Sequence, residues 1–187
     1  MLEIKKVEPP TFFKSWVKDK KDSQRLREFI LEKEQQHVCC YCEKGITPDN
    51  SDSHLDHVRP QHRFPKLKND YRNLVVSCQT PGRCGIAKKS KFDDHFIVPT
   101  EENPEDYLTY FINGEIRAID NNKKANVTIE MLNLNAPRLV EVRRALFRQL
   151  NDMKNSIADF EIYFNEYPTF IKYFKESFNK PTEHASR

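Results

Sequence analysis

Four short stretches between residues 39 and 84 decide the fold: CCYC at 39–42, HLDHVRP at 54–60, NL at 73–74 and CQTPGRC at 78–84. The outer two stretches supply two pairs of cysteines, and the inner two supply histidine, aspartate and asparagine. Zinc takes four ligands in a tetrahedron, and two close cysteine pairs on two turns deliver them. The sequence therefore predicts one metal-stabilised unit with polar side chains between its two cysteine pairs.

The two cysteine pairs differ in spacing. Cys39 and Cys42 are separated by two residues, whereas Cys78 and Cys84 are separated by five. The longer gap contains Pro81-Gly82, which favours a tight turn that keeps both thiolates close. A zinc ion held by four thiolates has no open coordination position, so we expect this zinc to be structural.

The alternative for these cysteines is a redox pair or a set of unrelated buried thiols. A redox pair with two intervening residues usually follows a strand and opens a helix. Here residues 43–48 follow the first pair and have the composition of a turn. Zinc is therefore the favoured interpretation, and Cys40 is predicted to be a buried free thiol.

Histidine and acidic residues lie between the cysteine pairs. In a strand, alternation places His54 and Asp56 on one face and His57 on the other, although side chains at a twisted strand end still converge. A carboxylate suits a hard divalent cation, and an imidazole suits a general base near neutral pH. Asn73 has an amide that can orient the imidazole or coordinate a metal. Taken singly, each residue also fits a structural role, as a hydrogen-bonded histidine or a turn-forming asparagine.

Charge is distributed unevenly along the chain. The net charge is only +3, apolar residues make up 37% and charged residues 32%. Between Arg59 and Lys91, however, only Asp70 opposes a run of basic residues. This pattern fits a phosphate backbone and equally fits a solvated surface loop. The basic residues are Arg59, Arg63, Lys66, Lys68, Arg72, Arg83, Lys88, Lys89 and Lys91.

The sequence predicts a cytoplasmic protein. Met1 leads into a charged segment, so no signal peptide is expected, and no apolar run approaches the roughly 18 residues of a membrane span. Clustered cysteines also fit an intracellular metal site better than a secreted disulfide framework.

The remaining pattern predicts an α+β fold in three parts: a helical segment at 1–37, a core at 38–120 and a helical region at 121–187. In the first part, Pro9-Pro10-Thr11 precedes one helix, and Asp22 or Ser23 caps a second with Leu26, Phe29 and Ile30 on its apolar stripe. The core is predicted to contain short strands at Val38–Tyr41, His54–Val58 and Asn73–Ser77, and a hairpin of Leu108–Ile112 and Glu115–Ile119 around Asn113-Gly114.

The C-terminal region is predicted to form a long amphipathic helix. Asn135 is expected to cap it and Pro137 to occupy its first turn. Tyr167-Pro168 should end it, and a short aromatic helix with Phe170, Ile171, Phe174 and Phe178 follows. The apolar stripe steps by three and four residues through Leu139, Val142, Leu146, Leu150, Met153, Ile157, Phe160 and Phe164.

The order of these motifs resembles the HNH endonucleases, whose fold is the ββα-metal finger. The resemblance implies that His57 is the general base, that Asp56 binds the catalytic metal and that Asn73 positions the base. It also implies a structural zinc knuckle formed by Cys39, Cys42, Cys78 and Cys84, and a catalytic Mg²⁺ or Mn²⁺. The matching pieces are the two cysteine pairs, Asp56-His57-Val58-Arg59-Pro60, Asn73-Leu74 and Lys88.

One position departs from the family pattern. After the last cysteine the family usually has asparagine or histidine as a second metal ligand, and this chain has Gly85. His54, on the same predicted face as Asp56, is the first candidate to replace that ligand. Asp93, Asp94 and His95 are weaker candidates, and a degenerate site is the remaining alternative.

A narrower resemblance, to the PtuB group of HNH proteins, covers most of the chain. This group includes nuclease subunits of the Septu anti-phage system and effectors linked to retrons, and Cys-Gly is common there. The resemblance implies an ABC-type ATPase partner (PtuA-like), which we expect to bind the C-terminal aromatic region. It rests on Cys39-Cys40-Tyr41-Cys42-Glu43, His54 to Gln61, Cys84-Gly85-Ile86-Ala87-Lys88, Tyr110 to Ile116 and Leu132 to Asn135.

The sequence thus predicts a metal-dependent endonuclease acting on nucleic acid, with DNA favoured over RNA, in which Arg59, Lys88, Lys89 and Lys91 hold the phosphate backbone. One competing hypothesis is a non-catalytic zinc ribbon that binds nucleic acid or protein, which leaves His57 and Asn73 without a role. Another is a thiol-regulated protein, which predicts no zinc and a reactive Cys39 or Cys40.

Overall fold

The computed structural model describes residues 1–153 and 165–179. Helices and two small antiparallel sheets alternate along the chain, which confirms the predicted α+β class. The helices are α1 (Phe13–Asp19), α2 (Ser23–Lys33), α3 (Cys84–Lys88), α4 (Lys123–Leu132), α5 (Pro137–Asp152) and α6 (Pro168–Asn179). The strands are β1 (Ser53–His57), β2 (Leu74–Cys78), β3 (Leu108–Tyr110) and β4 (Ile116–Ala118).

The first sheet consists of β1 and β2, which pair antiparallel from Ser53 opposite Cys78 to His57 opposite Leu74. Each strand lies within one residue of its predicted position. All of β2 is buried, because α2 covers the sheet and α3 packs on β2 after the turn at residues 79–83. This arrangement brings the second cysteine pair to the end of a strand and the start of a helix.

The predicted strand at Val38–Tyr41 is wrong. Only Val38 forms a β-bridge, to Gly45. The Cys39 N–H donates to the Lys44 carbonyl at 2.9 Å, and the Glu43 N–H donates to the Cys39 carbonyl at 2.9 Å. These hydrogen bonds close a tight turn, here called the knuckle turn (residues 39–44), and the turn takes the place of a ladder.

The predicted hairpin is present but shorter than expected. β3 and β4 pair from Leu108 opposite Ala118 to Tyr110 opposite Ile116. Gly114 has φ +88°, and a Cβ there would lie 2.2 Å from the Val140 carbonyl of α5. The close packing of α5 on the turn therefore requires glycine at this position.

The helix starts follow the predicted residues in part. Asp22 caps α2 by accepting from the Arg25 N–H, and Pro137 lies in the first turn of α5 as predicted. Asn135 is not a cap: its carboxamide pairs with both the N–H and the carbonyl of Ile116 in β4, at 2.9 and 2.8 Å. Tertiary pairing with a strand thus takes the side chain away from the helix end.

The two C-terminal helices pack against each other. Phe170 and Phe174 of α6 are buried, and Phe174 lies 4.7 Å from Phe147 of α5 between ring centroids. Both rings belong to the protein's own core, while Val142 of α5 and Tyr173 of α6 remain exposed.

The prediction of one long helix that ends at Tyr167-Pro168 is wrong, because α5 ends at Asp152 with Met153 as its C-cap. The predicted stripe residues Ile157, Phe160 and Phe164 lie outside the described residues.

Buried side chains from all three predicted segments belong to one hydrophobic core, which runs from Trp16 through Val76 to Leu139 and Phe170. Glu43 of the knuckle turn joins α6 to this core, because its carboxylate accepts from the Thr169 N–H at 2.7 Å. None of the helices in the described ranges is long and apolar enough to cross a membrane.

Candidate active site

Four cysteines form a buried cluster at the junction of the knuckle turn, β2 and α3. The Sγ atoms of Cys39, Cys42, Cys78 and Cys84 all lie within 4.8 Å of one another. Sulfurs on a tetrahedral zinc with bonds of about 2.3 Å are about 3.8 Å apart, and the Cys42 and Cys78 sulfurs are 3.9 Å apart. The donor set therefore fits structural zinc, while Cys40 is buried outside the cluster as predicted.

The electrostatics of the cluster also suit a metal. Burial alone raises the pKa of the Cys39 thiol, but hydrogen bonds from the surrounding thiols outweigh burial and hold this pKa well below its ordinary value. Burial lowers the pKa of the Arg83 guanidinium, and the facing sulfurs of Cys42, Cys78 and Cys84 more than reverse that shift. Hydrogen bonds with Cys39 and Cys78 instead raise the pKa of Cys42 and of Cys84 well above its ordinary value, so without a metal the cluster favours a thiolate at Cys39. Four thiolates around zinc would carry excess negative charge that Arg83 offsets.

Asp56 is enclosed by two hydrogen-bond donors. The Tyr41 hydroxyl donates to Asp56 Oδ2 at 2.6 Å, and Lys88 Nζ lies 3.2 Å from the same oxygen. Lys88 is fully buried and also donates to the His57 carbonyl at 3.0 Å. Burial, followed by the charge of Asp56, raises the pKa of Tyr41 well above its usual value, so the phenol stays protonated and donates.

His54 fills the space that Gly85 leaves empty. A Cβ at residue 85 would lie 2.6 Å from His54 Nε2 and 3.0 Å from Ser77 Oγ. Any side chain at residue 85 would therefore displace the imidazole. The His54 Nδ1 atom is buried and has no hydrogen-bond partner. His54 lies against Gly85 of α3, and Asp56 pairs with Lys88 of α3. Both side chains therefore face α3, as strand alternation predicts.

The His57 ring turns away from α3 toward the loop at residues 58–73. Its Nε2 atom lies 2.9 Å from the Lys68 carbonyl. A carbonyl only accepts hydrogen bonds, so this contact requires the hydrogen on Nε2 and leaves the lone pair on Nδ1. The ring is half-buried, and its tautomer and orientation are suited to accepting a proton.

Asn73 holds that loop through backbone contacts. Its Oδ1 accepts from the Arg59 N–H at 2.8 Å, and its Nδ2 donates to the carbonyls of Arg59 and Leu67 at 2.9 and 3.2 Å. Leu67 precedes Lys68, whose carbonyl holds His57. The structure therefore connects Asn73 to the histidine through the loop, whereas the sequence suggested direct contact with the imidazole or a metal.

The predicted phosphate-binding residues divide into two groups. Lys89 and Lys91 are exposed at the end of α3. Lys88 is not available to a phosphate, because it is buried against Asp56, and this part of the prediction is wrong. Arg59 pairs through both terminal nitrogens with Glu101, and this hydrogen bond raises the pKa of the guanidinium. Glu101 would compete with a phosphate for Arg59.

The remaining candidate ligands pair with other side chains. His95 Nδ1 contacts Asp93 at 3.0 Å, and Asp94 lies 3.9 Å from Arg63. Within residues 1–153 and 165–179, the four cysteines are the only group of three or more acidic, histidine or cysteine side chains that converge on one point. A catalytic cation would therefore rely on few protein ligands and on water.

Tyr41 and Glu101 were given no role from the sequence. Tyr41 stands between Cys39 and Cys42 of the cysteine cluster, so its position in the sequence carried a usable signal. Glu101 lies 42 residues after Arg59, and nothing local indicated that pair.

Comparison with known proteins gives one relative. No protein-family model matches the chain. Over 100 residues, which are 52% of this chain, it is 30% identical to the Septu protein PtuB of Bacillus thuringiensis. Those residues are 36% of the relative, so the chain spans about a third of the length of the curated protein that it matches. The chain is therefore PtuB-like over about half of its residues. This confirms the resemblance to PtuB, but over half of the chain and not over most of it.

Proposed function

We propose that this protein is a metal-dependent HNH endonuclease that hydrolyses phosphodiester bonds in nucleic acid, with DNA favoured. The observation that carries the proposal is the His57 imidazole, which the Lys68 carbonyl holds through Nε2, so that Nδ1 is the nitrogen that can accept a proton. The order β1, β2, α3, braced by a four-cysteine cluster, supports a ββα-metal finger around that histidine.

In this proposal His57 Nδ1 takes the proton from an attacking water. The Lys68 carbonyl then stabilises the imidazolium, because it accepts from the Nε2 hydrogen. Asp56 and His54 would hold the catalytic Mg²⁺ or Mn²⁺, and a carboxylate with an imidazole is a donor set that such cations accept. When bound, this ion would supply stabilisation of negative charge on the phosphate and the leaving oxygen.

The direct test is incubation of plasmid DNA and of RNA with the purified protein. Mg²⁺ or Mn²⁺ should support cutting, EDTA should stop it, and about one zinc per chain should be retained. Zinc without cutting on either substrate, even with an ATPase partner added, would contradict the proposal.

A second candidate is a zinc ribbon that binds nucleic acid without cutting it. The observation that favours it is the charge pairing at the site: Lys88 occupies Asp56, and Glu101 occupies Arg59. The two candidates differ in divalent-cation binding, since a ribbon predicts none beyond its zinc. Mn²⁺ titration therefore separates them.

The resemblance to the Septu protein PtuB supports a role in anti-phage defence, and we include in the proposal a cytoplasmic complex with an ABC-type ATPase. The C-terminal region stays the proposed binding region for that partner, although Phe170 and Phe174 themselves are core residues. A pull-down of the intact chain with the candidate ATPase tests the complex.

Replacement of Lys89 and Lys91 together by alanine should weaken DNA binding without affecting folding. Each lost phosphate contact should reduce the slope of log K against log salt by about 0.9. Binding to labelled duplex at several salt concentrations measures this. Lys14→Ala with Lys18→Ala, two exposed lysines on α1, is the matched control. Equal losses in both double variants would show that only general charge matters.

Asn73→Ala should lower both stability and cutting. The partly buried Arg59 N–H loses its acceptor, which costs about 1 kcal/mol, the low end of the usual range, and the loop that holds His57 loosens. Urea unfolding and plasmid cleavage measure the two effects. Asn69→Ala, an exposed asparagine on the same loop, is the control and should change neither. Normal cutting by Asn73→Ala would show that the loop does not orient His57.

A further inference from the structure

The Tyr41 side chain crosses from the knuckle turn to β1. Tyr41 stands between the cluster ligands Cys39 and Cys42, and it is fully buried. Its hydroxyl donates to Asp56 Oδ2 at 2.6 Å. The Tyr41 side chain therefore connects two parts of the protein. At one end is the knuckle turn, which carries two cysteines of the cluster, and at the other is the carboxylate of the proposed cation site.

The contact leaves room for a cation on the carboxylate. An ionised carboxylate has about four lone-pair sites. Tyr41 takes one on Oδ2, and Lys88 Nζ approaches both oxygens at 3.2 and 3.3 Å. The Asp56 side chain retains 11% of its exposure, which is a route for a cation from solvent.

We propose that Tyr41 is a positioning residue that orients Asp56 for the catalytic cation and thereby couples the zinc cluster to that site. This inference rests on the proposed function. Hydrogen-bond donors behind a metal ligand hold it in its binding orientation, and their removal typically weakens metal affinity 10–100-fold. Zinc ligands on both sides of Tyr41 hold its backbone, so the orientation of Asp56 depends on the integrity of the cluster.

The chain offers a matched control. The Tyr71 hydroxyl donates to the Glu34 carboxylate at 2.6 Å, the same length as the Tyr41 contact, but Glu34 pairs with Lys6 and has no part in the proposed site. Tyr71→Phe removes the same kind of hydrogen bond from the same residue type. It therefore measures what loss of a tyrosine–carboxylate bond does to the protein in general.

The experiment uses the full-length zinc-loaded protein and Mn²⁺ as the probe. The Kd for Mn²⁺ is measured from the paramagnetic resonance of free Mn²⁺, and zinc content and thermal unfolding are measured on the same samples. Tyr41→Phe should bind Mn²⁺ about 10–100-fold more weakly while it retains zinc, whereas Tyr71→Phe should match wild type. Cleavage by Tyr41→Phe should fall at limiting Mn²⁺ and recover at saturating Mn²⁺.

A second control variant distinguishes loss of the Tyr41 hydrogen bond to Asp56 from general loosening of the core around Tyr41. The Phe96 ring packs edge-on against Tyr41, with centroids 6.4 Å apart. Phe96→Leu removes that packing but keeps the hydroxyl, so it should lower stability and leave the Kd for Mn²⁺ unchanged. All measurements are made below the lowest unfolding transition, so that folded proteins are compared.

Two outcomes would overturn the inference alone: wild-type Mn²⁺ affinity in Tyr41→Phe, or an equal loss of affinity in Phe96→Leu. Absence of Mn²⁺ binding by the wild-type protein, together with absence of cutting, would instead overturn the proposed function and this inference with it.

Discussion

Replacement of His57 by alanine is expected to lower the rate of nucleic-acid cleavage by about 10²–10⁴-fold, the usual contribution of a general base. The imidazole is held through Nε2 by the Lys68 carbonyl, so Nδ1 is the atom that accepts the proton. Alanine removes that acceptor and leaves Asp56 and the cysteine cluster intact. The loss should therefore appear in the cleavage rate and not in folding.

Single-turnover cleavage of plasmid DNA with saturating Mn²⁺ measures this effect, and thermal unfolding and zinc content verify the fold. His62→Ala is the matched control, because His62 lies exposed on the same loop and contacts none of the proposed site residues. If His57→Ala cuts as fast as His62→Ala, His57 is not the base, and a contaminating nuclease or another residue accounts for the cutting.

Replacement of Cys78 by alanine is expected to remove the metal and most of the stability. Zinc binding in small zinc domains is worth about 10–16 kcal/mol near pH 7, which is comparable to the whole stability of an ordinary domain, about 5–15 kcal/mol. Cys78 ends the buried strand β2, and its backbone N–H also contacts Cys39 Sγ at 3.3 Å. The variant should lose zinc and its cooperative unfolding transition.

Cys40→Ala is the control for this prediction, since Cys40 is equally buried but lies outside the cluster. It should retain about one zinc per chain and unfold cooperatively. Acid should act like Cys78→Ala, because protons compete with zinc for the thiolates and zinc occupancy falls as the pH falls. A stable, cooperatively unfolding Cys78→Ala without metal would mean that the cluster does not depend on zinc.

The faces of β1 on which the site residues lie were predictable, because strand alternation depends only on neighbouring residues. Strand alternation placed His54 and Asp56 toward one side and His57 toward the other, and the contacts with α3 and the loop agree. The departure at Gly85 also directed attention to His54, whose ring fills the space that a larger side chain would need. The strand predicted at Val38–Tyr41 failed, because hydrogen bonds of the knuckle turn took the backbone groups that a ladder requires.

Partners distant in sequence were not predictable. Lys88 lies in a basic run of the sequence, where a surface lysine is expected. In the structure it is buried against Asp56, 32 residues away. Arg59 is likewise paired with Glu101. Phe170 and Phe174 are buried against the hairpin and α5, at Tyr110 and Phe147. For Lys88 and Arg59 an outside ligand was inferred where the chain supplies its own partner.

The sequence by itself determined the four cysteines that could hold a metal, the two strands that carry the candidate site and the resemblance to PtuB. These depend on residue type and short spacing, because zinc coordination and strand alternation are local constraints. Only the tertiary structure decided which groups pair within the site and how its side chains are oriented. Which donor reaches Asp56, and which carbonyl holds His57, depends on how distant segments pack, and a buried charge must find its partner wherever the fold brings one within hydrogen-bond distance.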